Sequence, residues 1–249
     1  MANIKYVGDG EVHLLAGGGK VYTDIAARFV GSERDLKDII ASPYDKKIVE
    51  NIINSGHLAA TEFDYFVFGI QGYARVTEIQ LVRKRIASYL IKSGRIDKYG
   101  KRNFDVVVPK NIDFNCFINF PGKNIILPNG ETLPYDSVKL NINCKNILNI
   151  IEQWYNYGVN INIPEEDLRY MKPQATEFKA IIGMNVHSLL DWFKIRLCKN
   201  SQTEIRDLAM KMLRLCKKEK PDIFKKAGAN CIVLGYCPEN DRQNKKCKG

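Results

Sequence analysis

A strand of buried type runs almost directly into a strongly basic segment, and this junction constrains the fold more than any other feature. The run Glu62 to Ile70 reads EFDYFVFGI, and its aromatic and apolar residues predict a buried strand. The segment Gln80 to Arg95 follows and reads QLVRKRIASYLIKSGR. It begins on a predicted helix, because the apolar residues Val76 and Ile79 recur at helical spacing on one side. The sequence therefore predicts a strand followed by a basic helix.

The polar residues of the basic segment suit an anion. Gln80, Arg83 and Lys84 are expected to share one helix face, because residues three and four apart are helix neighbours. Ser93-Gly94-Arg95 follows with a hydroxyl, a flexible backbone and a guanidinium, which are groups that bind phosphate. A solvated basic helix followed by a loop is the competing interpretation, and composition leaves both open.

The overall charge points to an anionic partner. The chain has 249 residues, 45% of them hydrophobic and 27% charged, which is ordinary for a globular protein with a sizeable core. Its net charge of +10 favours nucleotides, nucleic acid or an acidic surface. Much of the lysine lies near the C-terminus, and no nucleic-acid recognition motif is visible, so nucleic acid is the less favoured partner.

Cysteine usage and hydropathy indicate a cytoplasmic protein. The seven cysteines are an odd number scattered along the chain, which favours reduced thiols. No signal peptide and no apolar stretch of membrane-spanning length are visible, so we expect no membrane partner. We expect one domain over residues 1–220 and a basic, cysteine-containing tail over residues 221–249.

The N-terminal third is expected to be mainly helical before the strand. A short strand and a glycine turn, Gly17 to Lys20, come first, and the GxxxxGK[ST] phosphate-loop spacing is absent. We predict a helix from Thr23 to Val30 capped by Thr23 or Asp24, then two helices over residues 34–55 broken near Pro43.

The remaining elements alternate between strands and helices. Residues 104–108 predict a short strand, and residues 110–137 a loop with a hairpin near Gly130. A long amphipathic helix is expected to end at Gly158, and Pro164 begins a short helix. A strand over residues 175–184, a helix over residues 186–196 and a last helix opened by a Ser201–Glu204 capping box complete the pattern up to Pro221.

Several candidate site residues have two interpretations. Arg169, Arg196 and Arg206 lie on separate predicted helices, and they either converge on one anion or pair with the nearby carboxylates Glu165, Asp207 and Glu204. His57 either neighbours a ligand or satisfies helix carbonyl groups.

A metal site is not expected. The three histidines lie far apart in sequence. The tail cysteines Cys231, Cys237 and Cys247 miss the close pairs of structural zinc sites, and their role is open.

Four blocks of the chain resemble the flavin-dependent thymidylate synthases. The blocks are Gly56-His57 to Phe68, Gln80 to Ser88 with Ser93-Gly94-Arg95, Arg169 to Pro173, and Asn185 to Glu204. Ala26-Ala27-Arg28 also fits, so the resemblance spans about residues 25 to 215 in order.

The resemblance implies a specific fold and reaction. The implied fold is α+β, with mixed helices around a small antiparallel sheet, assembled as a homotetramer with shared active sites. The implied cofactors are FAD, NADPH and methylenetetrahydrofolate. The implied reaction is methylation of the pyrimidine nucleotide dUMP to dTMP, with folate as carbon donor and reduced flavin carrying the chemistry.

The resemblance also implies roles for individual residues. The nucleotide would be held by Gln80, Arg83, Ser93, Gly94, Arg95, Arg169 and Arg196, with Arg196 as the catalytic cation facing the pyrimidine ring. The cofactor would be bound by His57, Glu62, Arg83, Lys84, Arg85, Asn185, His187 and Asp191.

The chain departs from the family pattern mainly where sugar and base are handled. The family's central histidine is Lys84, its Asn-Glu pair is Leu90-Ile91, and its closing tyrosine is Ile96. A second histidine is Asn200, and the flavin-side arginine and asparagine are His187 and Asp191. Loss of a carboxylate removes an acceptor for a substrate group, which changes discrimination strongly.

Three functions are therefore weighed. The first is a divergent flavin-dependent thymidylate synthase, which we favour. The second is an enzyme with the same chemistry on another pyrimidine nucleotide or with another one-carbon group. The third is a binder of nucleotides or nucleic acid without catalysis.

Overall fold

The structure is a computed structural model, and it describes residues 3–92, 105–112, 114–120, 122, 124–126, 130–134 and 138–238. The chain divides into two compact units. The smaller unit comprises Met1–Tyr6 and Ser93–Thr176, and the larger unit comprises Val7–Lys92 and Glu177–Gly249. The expected division into residues 1–220 and a tail stays a prediction.

The larger unit combines a four-stranded sheet with helices. Its strands are β2 (Glu11–Ala16), β3 (Tyr65–Ala74), β4 (Ser88–Ile91) and β10 (Glu177–Asn185). Its helices are α1 (Tyr22–Gly31), α2 (Leu36–Ala41), α3 (Lys46–Ser55), α4 (Arg75–Leu81), α7 (Val186–Arg196), α8 (Thr203–Glu219), α9 (Pro221–Phe224) and α10 (Asn230–Leu234), with a 3₁₀ turn at Leu58–Phe63.

The sheet is antiparallel in the order β2-β3-β10-β4. Ile182 of β10 pairs with Phe68 of β3, and Ile181 pairs with Leu90 of β4. Because successive side chains of a strand point to opposite faces, Phe68 and Ile182 share the buried face. The expected α+β fold around a small antiparallel sheet is confirmed.

Helices α7 and α8 supply the other half of the main core. Their fully buried side chains include Leu189, Phe193, Ile205, Leu208 and Met212. Helix α7 has the predicted bounds, because Asn185 caps its first turn by accepting a hydrogen bond from the backbone N–H of Ser188. The predicted break near Pro43 is confirmed as well, and Gly56 caps the end of α3 at φ 77°.

The basic segment does not continue as a helix. Helix α4 ends at Leu81, and Ser88–Ile91 forms strand β4, which neither interpretation of the basic segment predicted. The shared helix face predicted for Gln80, Arg83 and Lys84 is therefore wrong. The physical cause is tertiary, since donors from Arg196 and Tyr89 take carbonyl oxygens at the end of α4.

Two predicted helix caps are also wrong. Thr23 and Asp24 lie inside α1 rather than at its N-cap, and the Thr23 hydroxyl donates to Asp64. Glu204 does not form a capping box on α8, since its carboxylate binds α4 instead. The folded structure also continues past Pro221, where the predicted pattern of helices and strands ended. Phe224 of α9 is fully buried and packs edge-on against Phe66.

The smaller unit pairs short strands with one long helix. Its elements are β1 (Asn3–Tyr6), β5 (Asp105–Val108), β6 (Cys116–Phe120), β7 (Asn124–Ile126), β8 (Thr132–Pro134), β9 (Val138–Ile142), α5 (Cys144–Asn160), α6 (Glu165–Leu168) and 3₁₀ turns at Lys110–Ile112 and Arg169–Met171. Strands β1 and β5 are parallel, whereas β6 pairs with β9 and β7 with β8 in antiparallel fashion. The predicted hairpin near Gly130 is confirmed.

Helix α5 passes through the glycine that was expected to end it. Gly158 is buried, and a Cβ there would lie far inside van der Waals contact with Leu168. The absence of a side chain at Gly158 therefore allows Leu168 to pack directly against α5.

No helix in the part of the chain that the structure describes is long and apolar enough to cross a membrane.

Candidate functional site

Arg196 lies at the end of α7 beside the last turn of α4. Its Nη2 donates a hydrogen bond to the backbone carbonyl of Gln80 at 2.9 Å. Its Nε is buried and has no hydrogen-bond partner among the described residues. A buried donor without a partner costs free energy, so this guanidinium is suited to accept a further ligand.

The electrostatics around Arg196 favour an anion. Burial lowers the pKa of the Arg196 guanidinium, and the neighbouring positive charge of Arg83 lowers it further. Among the described acidic side chains, none forms an ion pair with Arg196 or Arg83, so the alternative in which Arg196 pairs with a carboxylate does not hold for these residues. Two neighbouring cations that no described carboxylate pairs with create a positive potential that favours an anion.

The turn after α4 is fixed by a tyrosine. The Tyr89 hydroxyl lies 2.9 Å from the carbonyl oxygens of both Leu81 and Lys84. Burial raises the pKa of Tyr89 to about 12, although Arg196 opposes the shift. The hydroxyl stays protonated at neutral pH and keeps the turn that carries Arg83 in place.

Gln80 is anchored by side chain as well as backbone. Its Nε2 donates to Oε1 of Gln202, just before α8, at 2.9 Å. Gln80, Arg83 and Arg196 are thus brought together, which is compatible with what the resemblance implies, although Gln80 and Arg83 are not neighbours on one helix face.

A second cluster, which we call the α7 charge cluster, consists of Glu62, Lys84, His187, Asp191 and Lys194. His187 Nδ1 lies 3.0 Å from Glu62 Oε1, and His187 Nε2 lies 4.0 Å from Asp191. Asp191 also lies 3.7 Å from Lys84 Nζ and 3.3 Å from Lys194 Nζ. Four predicted cofactor residues from three chain segments therefore meet in one network.

A residue of a buried ion pair, Asp64, holds the start of the helix that carries the α7 charge cluster. The backbone carbonyl of Asp64 accepts from the N–H of Val186 at 2.8 Å, which fixes the 3₁₀ turn against the start of α7. The Asp64 carboxylate accepts from Lys220 Nζ and from the N–H and hydroxyl of Thr23. Burial raises the pKa of Asp64, but these hydrogen bonds outweigh it, so the pKa lies below its usual range.

The other predicted site residues have more varied positions. Asn185 uses its side chain to cap α7, and His57 and Arg85 are exposed. Arg169 is exposed on a 3₁₀ turn of the smaller unit. Ser93, Gly94 and Arg95 lie outside the described residues, as does Ile96.

The two apolar departures from the family pattern lie on opposite faces of β4. Leu90 is 70% exposed, whereas Ile91 packs against the main core. Ile91 therefore contributes to the fold of the larger unit.

Tyr89, Gln202 and Asp64 have no site role among the sequence-based predictions. Asp64 had a visible signal, because it is the one carboxylate within the aromatic run after Phe63. Gln202 lies inside the expected capping box, so its sequence context pointed to α8 instead. No group of histidine, cysteine or acidic side chains in the described residues could hold a metal ion.

The comparisons with known proteins match the part of the chain that contains the four blocks. A family model described as thymidylate synthase complementing protein matches residues 19–222. The flavin-dependent thymidylate synthase of Nitratidesulfovibrio vulgaris is 35% identical over 194 residues, which are 78% of this chain and 73% of that protein. The enzyme of the same name from Clostridium tetani is 34% identical over 215 residues, which are 84% and 80% of the two chains.

Solved structures show the same fold. The crystal structure of a UMP/dUMP methylase, PolB from Streptomyces cacaoi, bound with 5-Br dUMP, has a TM-score of 0.66 at 16% sequence identity. The match covers 94% of this chain and 97% of that chain.

Proposed function

We propose that this chain, which belongs to the family of flavin-dependent thymidylate synthases, methylates dUMP to dTMP with FAD as its flavin. NADPH is the proposed reductant, and methylenetetrahydrofolate is the proposed carbon donor. The observation that supports the nucleotide site best is the pair of arginines, Arg83 and Arg196, which no described carboxylate neutralises.

Arg196 is proposed to act on the pyrimidine. Its partly buried guanidinium has one hydrogen bond to Gln80 and one unpartnered Nε. A cation held in this way stabilises negative charge that develops on the base in the transition state, and low dielectric strengthens the effect. Arg83 supplies further positive potential, and Gln80 lies beside both.

The α7 charge cluster is proposed to bind the flavin nucleotide. Lys84 and Lys194 offer ammonium groups for phosphate, and Glu62 and His187 offer hydrogen-bonding groups for sugar or ring. This donor set fits a dinucleotide, which carries both kinds of group. Bound flavin supplies the redox chemistry, while His57, Arg85 and Asn185 are proposed to contribute at its edges.

The phosphate of the nucleotide is proposed to be held by Ser93, Gly94, Arg95 and Arg169. The support is the match of these positions to the family blocks. A guanidinium binds phosphate in bidentate fashion, and a glycine backbone allows close approach.

A homotetramer is also proposed, and the outer face of the four-stranded sheet supports it. Leu15, Tyr65, Leu90 and Ile181 lie on this face and are exposed, although strand residues of this kind usually pack against another layer. A second copy would cover them. Light scattering on the purified protein should give four times the mass of the chain, and a monomer would contradict this assembly.

A cytoplasmic location is proposed from the thiols. Five cysteines in the described part of the chain are free thiols, which fits a reducing compartment: Cys116, Cys198, Cys216, Cys231 and Cys237.

The central experiment is a nucleotide panel on the purified protein. We expect yellow protein with bound FAD, and NADPH oxidation stimulated by dUMP in the presence of methylenetetrahydrofolate. UMP, dCMP and CMP are the comparison nucleotides. A clear response to one of these and none to dUMP would assign the same chemistry to another substrate. Colourless protein that cannot be reconstituted with FAD would instead indicate a binder.

A further inference from the structure

Helix α4 is too short to be stable alone and lacks a cap of its own. It has seven residues, and its N-cap position is Ala74, whose side chain cannot accept a hydrogen bond. The missing cap comes from α8. Glu204 Oε1 accepts from the N–H of Ala74 at 2.9 Å, and Glu204 Oε2 accepts from the Thr77 hydroxyl at 2.5 Å.

Glu204 is a buried carboxylate with no cation beside it among the described residues. Only 2% of its surface is exposed. Burial raises its pKa, and the bonds from Thr77 and Ala74 oppose that shift. Its position in the first turn of α8 adds the positive end of that helix. The negative charge of Glu204 is therefore stabilised by neutral hydrogen-bond donors and by the positive ends of helices. This stabilisation requires α4 and α8 to keep their relative position.

The same end of α8 also reaches the far end of α4. Gln202 Oε1 accepts from Gln80 Nε2 at 2.9 Å, and the Thr77 hydroxyl lies 3.5 Å from the same oxygen. Gln80 in turn gives its backbone carbonyl to Arg196. Gln202, which precedes α8, and Glu204, in its first turn, thus hold both ends of the helix that carries Gln80.

We propose that Gln202 and Glu204 are positioning residues of the nucleotide site: Gln202 orients the Gln80 amide, and Glu204 with Thr77 sets the position of α4. This inference rests on the proposed function, since it assigns Gln80 and Arg196 to the nucleotide. Neither Gln202 nor Glu204 needs to touch the substrate. Their effect passes through Gln80.

The test is a double-mutant cycle on the proposed pair. Gln202→Met, Gln80→Met and the double variant are compared with the wild type in the dUMP assay. Gln202→Met should raise KM for dUMP about fivefold to tenfold, because the Gln80 amide loses its acceptor and its orientation. The double variant should be no worse than Gln80→Met alone, because Gln202 acts through Gln80. Additive effects, or an unchanged KM in Gln202→Met, would overturn the inference.

Thr77 gives a second test with a matched control. Thr77→Val removes the hydroxyl from Glu204 at constant size, and Thr77→Ser restores it. KM for dUMP should rise in the first variant and return to within about twofold of the wild type in the second. Thr23→Val removes a hydroxyl from a different buried carboxylate, Asp64, and should lower the melting temperature without this selective rise in KM.

The outcomes separate the inference from the proposed function. Wild-type protein that does not bind dUMP overturns the proposed function and the inference with it. Wild-type protein that binds dUMP, together with a Thr77→Val variant of unchanged KM, overturns the role of Glu204 alone. If Thr77→Val does not fold, the Gln202 cycle decides, because Gln202 is only half-buried and leaves the Glu204 cap intact.

Discussion

Lys220 and Asp64 form an ion pair that is almost completely removed from solvent, with 3% and 0% of their side chains exposed. The two residues are 156 positions apart in sequence. The ammonium of Lys220 also donates to the backbone carbonyl of Lys20, so the pair joins the glycine turn, the start of α1 and the end of α8. The backbone of Asp64 then fixes the start of α7, where the α7 charge cluster lies.

Removing one charge of this pair should destabilise the protein strongly. Asp64→Asn leaves the Lys220 ammonium buried without a counter-ion, and we expect a loss of about 3–5 kcal/mol in the free energy of unfolding. Urea unfolding at pH 7 measures it. Asp45→Asn, at the exposed N-cap of α3, is the control and should change little, because asparagine also caps helices.

The difference in the free energy of unfolding between the wild type and Asp64→Asn should depend on pH in a defined way. The pKa of Asp64 in the folded protein lies below its ordinary value of 3.8, so the ionised carboxylate contributes its full stability above that pH. As the pH falls below 3.8, the unfolded chain takes up the proton first and this stability is lost. The difference between wild type and Asp64→Asn should therefore be constant from pH 7 to about 4 and narrow below it. A difference that narrows already between pH 7 and 5 would contradict the assigned ion pair.

Arg196→Ala should impair turnover far more than flavin binding. We expect kcat/KM for dUMP to fall about 10²- to 10³-fold, because the cation beside the developing charge is lost. Steady-state kinetics and the flavin absorbance give the two readouts. Arg206→Ala removes the same side chain from α8, where it donates to the carbonyl of Lys199, and should leave kcat/KM within about twofold.

Arg95→Ala should separate nucleotide binding from flavin binding. If Arg95 holds the phosphate, dUMP affinity should fall about tenfold or more, since a charge-assisted bidentate contact is lost, while FAD affinity stays near the wild type. Titration calorimetry on the FAD-loaded protein measures the first, and flavin fluorescence the second. Arg214→Ala, an exposed arginine of α8, is the control. Equal losses of both ligands would reject the assigned role.

Glu62 and His187 should act as one unit in binding the flavin. Glu62→Ala and His187→Ala should each weaken FAD binding about threefold to tenfold, and the double variant should show less than the sum of their effects, because the two side chains contact each other at 3.0 Å. Flavin fluorescence on reconstitution is the readout. Lys46→Ala breaks a surface ion pair with Asp222 and should not alter it. Independent, additive losses would show that the contact does not matter for the cofactor.

Gly158→Ala tests the close packing of the smaller unit. The added methyl group would collide with Leu168, which is buried, and we expect a net loss of about 1–2 kcal/mol after the helix propensity of alanine is counted. Gly31→Ala is the matched helical control, because nothing lies within 4 Å of its Cβ position, and it should be neutral or slightly stabilising. Thermal unfolding compares the two, and a neutral Gly158→Ala would show that Leu168 moves freely.

The sequence alone determined the elements whose signals are local. Helix α7 has its predicted bounds because an apolar face and the Asn185 cap both lie within a few residues. The break between α2 and α3 follows from Pro43, which cannot continue a helix. The order of the family blocks identified the candidate residues, because motif spacing is also a property of the chain.

Only the tertiary structure decided where α4 ends, which helix Glu204 caps, and which cation balances Asp64. Each depends on a partner more than 110 residues away: Arg196 for Gln80, Thr77 for Glu204, and Lys220 for Asp64. The sequence around Glu204 is the same whether its carboxylate forms a capping box on its own helix or caps a helix that is distant in sequence. Packing selects between them, because a buried carboxylate or carbonyl takes whichever donor the fold brings within hydrogen-bond distance.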